Sequence, residues 1–98
     1  MRYRDRIEII SQILEVANGR NVTRSKIAYD VFLNYSQLKE NLAALTQKDL
    51  LCYDEDTRTF KTTEKGLRFL DTYNLLGEMV KEEQQKWIRA DEPDRGKI

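Results

Sequence analysis

Apolar residues fall along this chain in bursts whose spacing changes from one stretch to the next. Over residues 5–18, Ile7, Ile10, Leu14 and Ala17 recur at helical spacing, with Ile9, Ile13 and Val16 widening the stripe. Asp5 can cap the start, and Asn18-Gly19 offers a left-handed stop. A stripe this wide predicts a helix buried along most of its length. A second, short helix is expected from Arg24 to Val31 after Thr23 as N-cap, with Ile27, Ala28 and Val31 facing inward. At that length it depends on tertiary packing. Phe32-Leu33 enters a turn, and Asn34-Tyr35-Ser36-Gln37 has the form of a capping box. Leu38, Leu42 and Leu45 then recur at i, i+4 and i+7, which predicts a third helix ending near Lys48-Asp49.

The period then changes. Leu51-Cys52-Tyr53 and Thr59-Phe60-Lys61-Thr62 are rich in β-formers and flank the polar stretch 54–58, the signature of one hairpin. A fourth helix is expected from Thr62 or Thr63 to about Arg89. Asp91 to Ile98 carries Pro93, Gly96 and five charges and is expected to fray as a disordered tail. The order helix, helix, helix, hairpin, long helix describes an α+β, mostly helical chain. It is a winged helix-turn-helix of three helices plus a two-stranded wing over residues 4–66, then a long helix over 63–90.

Composition narrows the chemistry. The 98 residues include no histidine and one cysteine, Cys52, so imidazole bases, Ser-His or Cys-His nucleophiles, His-containing zinc sets and internal disulfides are excluded. No cofactor, metal-ligand cluster or small-molecule pocket is evident, and a non-enzyme is expected. The N-terminal segment lacks the apolar run of about 7–15 residues of a signal peptide. The longest apolar runs, Leu42–Leu45 and Leu50–Tyr53, are far below the ~18 residues of a membrane span. A cytoplasmic protein without membrane contact is expected.

Thr23-Arg24-Ser25-Lys26-Ile27, Leu33-Asn34-Tyr35, Leu38, Leu42, Leu45, Leu50-Leu51, Tyr53 and Lys61-Thr62-Thr63-Glu64-Lys65-Gly66 together resemble archaeal winged-helix DNA-binding proteins. The resemblance is to the small nucleoid-associated and transcription-regulator group with a long C-terminal helix, and it covers about residues 5–80. It implies double-stranded DNA as partner and a nucleoid-associated location. It also implies a homodimer in which the long helix pairs antiparallel with its twin as a coiled coil. Tyr73, Leu76, Val80 and Trp87 fall on an a/d pattern, interrupted by Glu83 at a core position. With Met79 they are the candidate dimer interface.

Charge separates the two halves. The formal net charge is zero, but residues 1–48 carry +3 and residues 49–98 carry −3. Neutrality argues against charge-driven coating of DNA, where phosphate neutralisation supplies the affinity, and favours a regulator with a localised contact. With its leucines inward, the third helix would offer Ser36, Gln37, Lys39, Glu40 and Ala43 to a major groove. The same residues are equally what a solvated helix face carries. Arg24 and Lys26, like Arg4 and Arg6, sit at a helix start, where positive charge opposes the dipole. That placement points to a phosphate or to no partner at all. Asp54, Glu55 and Asp56 make the hairpin tip acidic, so Arg58 and Lys61 are its only expected backbone contacts. The expected function is DNA binding by a winged-helix homodimer in transcription regulation. The alternative is a protein–protein interaction module in a larger assembly without DNA contact.

Overall fold

The computed structural model describes the backbone of residues 4–97 and the side chains of residues 4–80. Its elements run α1 (Arg6–Val16), β1 (Val22–Thr23), α2 (Arg24–Val31), α3 (Tyr35–Gln47), β2 (Leu51–Asp54), β3 (Thr59–Thr62) and α4 (Glu64–Lys97). The caps explain where the helices start. Asp5 accepts from the Glu8 amide and Thr23 from the Lys26 amide, at 2.8 and 3.1 Å. Asn34 and Gln37 close a full capping box on α3. The Thr63 hydroxyl accepts from the Gly66 amide at 3.0 Å while donating to the Asp49 carbonyl at 2.7 Å. One side chain thus starts α4 and ties it to the end of α3.

The sheet has three strands, in the order β1-β3-β2, where the sequence reading expects two. Val22 pairs with Phe60 and Thr23 with Thr59, antiparallel. Two residues are too few to show a period of two, and β3 recruits them only once the chain is folded. The β2–β3 hairpin sits where expected, Leu51 opposite Thr62 and Tyr53 opposite Phe60. Thr62 belongs to β3 and Thr63 is the cap, so the first helical residue of α4 is Glu64. The helix also extends past the expected end near Arg89. The side chains of the expected 91–98 tail, and Trp87, lie outside the described residues.

Ile13, Leu14, Ile27, Val31, Leu38, Leu42, Leu45, Leu51, Phe60 and Leu70 form a single core. As expected, Leu38, Leu42 and Leu45 point inward from α3. The N-terminal end of α1 is less covered than its wide stripe suggests, and Ile7 stays exposed. The sheet is fastened to α1 by the Thr62 amide and hydroxyl, which donate to the carbonyls of Ala17 and Leu14 at 3.0 and 2.7 Å. At Gly66, α4 runs close against the Leu50 backbone and Thr62. A Cβ there would lie 2.4 Å from the Leu50 carbonyl oxygen and 2.6 Å from Thr62 Cγ2. Among the described residues no helix is long and apolar enough to cross a membrane.

Candidate nucleic-acid interface

Burying one face of α3 defines the opposite one. With Leu38, Asn41, Leu42 and Leu45 turned inward, Ser36, Glu40, Ala43 and Gln47 form an exposed outer ridge. It spans about 16 Å at 1.5 Å per residue. One flank of the ridge, with Tyr35, Lys39 and Thr46, faces the wing across a groove. Arg24 of α2 and Tyr53 and Phe60 of the wing close the far side. The groove encloses about 550 Å³. Tyr53 packs on Phe60 with ring centroids 4.7 Å apart, and the Arg24 guanidinium lies 5.7 Å from the Phe60 ring centre. That cation–π contact holds the first residue of α2 against the wing.

The sequence-predicted residues separate into groups. Arg24 and Lys39 share the groove, and Ser36 and Glu40 stand on the ridge beside it. Gln37 lies round the other side of α3, its Oε1 accepting from the Asn34 amide at 3.2 Å, so only its amino group is free to face a partner. Lys26 is paired with Asp30 at 3.2 Å, an i,i+4 bridge within α2. Arg58 sits in the wing turn with φ of 57°. Lys61 is opposite Cys52, one residue out of phase with Phe60, and therefore on the sheet face away from the groove.

Several cations are engaged at the ends of helices. Arg4 donates to the carbonyls of Val31 and Phe32 at 2.8 and 3.3 Å and to Gln12 Oε1, capping the end of α2. Arg20 Nε donates to the Val16 carbonyl at the end of α1, and Lys65 Nζ to the Lys48 carbonyl at the end of α3. None of these helices has a basic residue in its own last turn. Cations from outside each helix therefore serve its negative end. For Arg4 the partner is a helix C-terminus of its own chain, where the sequence left open a phosphate or none. Among the described residues neither Arg24 nor Lys39 is in a salt bridge, and both border the groove.

Sequence reasoning missed Tyr35, Thr46, Tyr53 and Phe60 at this site. Stepping 35-39-43-46 along α3 would have found the first two. The wing residues needed the strand register.

A family model described as winged helix-turn-helix matches residues 3–81. The chain belongs to the winged helix-turn-helix family. Among solved structures it is similar to Sso10a-2, described as a DNA-binding protein from Sulfolobus solfataricus. The TM-score is 0.75 and the identity 20%, over 91% of this chain and 95% of that one. At that identity the likeness concerns the fold, and it extends over α4 as well as the winged helix-turn-helix domain. No curated protein matches the sequence.

Proposed function

We propose that this winged helix-turn-helix protein binds double-stranded DNA through α3 and does so as a homodimer in transcription regulation. The observation that carries the proposal is the α3 ridge of Ser36, Glu40, Ala43 and Gln47, exposed along its length and flanked by Arg24 and Lys39. A helix fits the major groove, and short polar side chains on an outer ridge reach base edges. Arg24 and Lys39 would hold phosphates, with Arg58 and Lys61 as outlying backbone contacts on the wing. Lys26 and Gln37 contribute less, because each already has an intrachain partner. Glu40 is the only charge on the ridge. It repels phosphate and can accept from cytosine N4, so it favours selective over indiscriminate binding. That Sso10a-2 is a DNA-binding protein supports the reading.

The dimer reading is supported by the exposed Leu76, Met79 and Val80 of α4, beside the half-buried Tyr73. Trp87, proposed with them, lies outside the described residues. A two-fold dimer places two α3 helices on symmetry-related half-sites.

Fluorescence anisotropy on random and selected duplexes over a range of salt tests the proposal. Affinity should fall with salt, and Arg24→Gln and Lys39→Gln should each flatten the log–log slope by about 0.9. Glu40→Gln should raise affinity for random duplex and narrow the gap to the selected one. No binding at low salt, or slopes indifferent to both substitutions, would leave the protein-interaction reading in its place.

A further inference from the structure

We propose that the groove between α3 and the wing is a binding site for a small, flat aromatic acid, and that filling it displaces DNA from α3. The second half rests on the DNA reading above; the first does not. At about 550 Å³ the groove is within the roughly 300–1,000 Å³ of small-molecule sites. Its walls are mostly apolar, with Leu38, Leu42 and Phe60 at the bottom and Tyr35 and Tyr53 at the rim. Phosphate cannot use such a surface. It can meet Arg24 and Lys39, but it has no apolar face to set against the leucines and rings below.

Charge fixes the rest of the ligand. The residues lining the groove include two cations, Arg24 and Lys39, and no carboxylate. An anion is therefore favoured and an amine disfavoured. Arg24 is held by the Phe60 ring and makes no hydrogen bond among the described residues, so its planar fork of N–H donors is open to a carboxylate in bidentate fashion. The tilted Tyr53–Phe60 pair presents aromatic surface next to that guanidinium. A ligand with a carboxylate at one end and a flat ring beyond it satisfies both features at once. It would also occupy the space beside Lys39, the proposed phosphate contact on the flank of α3 next to its outer ridge.

The test uses the full ¹⁵N-labelled chain without DNA, titrated with 2-naphthoate and in parallel with neutral 2-naphthylmethanol. Saturable amide shifts are expected at Tyr35, Lys39, Tyr53 and Phe60. The neutral analogue and the Arg24→Gln variant should each bind about tenfold more weakly, the size of one charge-assisted hydrogen-bonded contact. Arg24→Lys should fall between, keeping the charge without the fork, and Arg68→Gln on α4 should bind as the parent does. Shifts that do not saturate, shifts centred on Leu75, Leu76 and Met79, or equal affinity for the acid and the alcohol would overturn the site. Anisotropy then reads the second half: naphthoate should raise the apparent Kd for duplex and the alcohol should not. Saturable binding with an unchanged duplex Kd overturns the displacement alone. Saturable naphthoate binding by a protein that binds no duplex overturns the DNA reading and leaves the site standing.

Discussion

The apolar residues of α3 and those in the middle of α4 are spaced alike and end in different surroundings. Leu38 and Leu42 are 4% exposed and Leu45 1%, whereas Leu76 and Val80 are 54% exposed and Met79 55%. The difference is cover. α3 is packed between α2 and β2, while α4 meets α1 and β3. Up to Leu70 its inward positions join the core; beyond the half-buried Tyr73 the described apolar positions stay exposed, with only the exposed start of α1 bordering them across an open cleft. A helical period thus shows that a face exists and not what covers it. Contiguous exposed apolar surface is the mark of an interaction site, which is why a second copy is the proposed cover.

Truncation should separate the two faces most widely. Leu45→Ala empties a buried position and should cost about 2–5 kcal/mol in urea unfolding. Leu76→Ala should change the stability of dilute protein by no more than about 0.5 kcal/mol. It should instead lower the sedimentation coefficient of concentrated protein by weakening self-association. If Leu76→Ala destabilised dilute protein as Leu45→Ala does, the two faces would not differ in cover.

Much of the fold was legible because local chemistry marks its joints. Asp5, Thr23 and the Asn34/Gln37 box announce helix starts, and the two β-rich runs around residues 54–58 announce the hairpin. What stayed hidden depends on contacts between distant residues. β1 exists only because β3 lies beside it. Arg4 sits at a helix start, where the sequence leaves a phosphate or no partner open, and its carbonyl partners are 27 and 28 residues away at the end of α2. The candidate site divides in the same manner. Lys39, Ser36 and Glu40 follow from the helix period, whereas the groove needs Arg24, Tyr35, Tyr53 and Phe60 brought together from four elements. No spacing rule in one dimension collects those.

The next effect in size lies at the junction between the covered and uncovered parts. Gly66→Ala puts a Cβ 2.4 Å from the Leu50 carbonyl oxygen, which is backbone and cannot swing aside. A loss of about 2–3 kcal/mol is expected, toward the upper end for overpacking. Native-state hydrogen exchange should show the loss first in the amides that join α4 to the Leu50 region. A neutral outcome would mean that α4 can shift away at this point, and the sharp boundary between the two halves of the helix would be lost.

On the covered side, the interhelix cap gives a smaller test. Arg4→Ala leaves the Val31 and Phe32 carbonyls without a cation and should cost about 1–2 kcal/mol, as loss of a partly buried charged hydrogen bond does. Arg4→Lys should recover part of it, with charge but without the guanidinium's reach to several acceptors. Duplex affinity under folding conditions should be unchanged by either, since this cation is spoken for within the chain. A drop in affinity at constant stability would return Arg4 to the phosphate contacts.

The smallest effect should also have the opposite sign. Gly77 is in the same helix as Gly66, yet a Cβ there would meet nothing within 4 Å. Relative to alanine, glycine in a helix interior costs about 1 kcal/mol, so Gly77→Ala should stabilise dilute protein by up to that amount. The same residue lines a shallow apolar cleft with Ile7, Tyr73, Leu76 and Val80. If a second chain seats there, filling the glycine's space acts on assembly as well as on the helix. The gain should then shrink at protein concentrations where the dimer forms, and Gly77→Phe should abolish self-association while the monomer stays folded. A gain that does not vary with concentration, together with unimpaired association of Gly77→Phe, would move the dimer contact off this cleft.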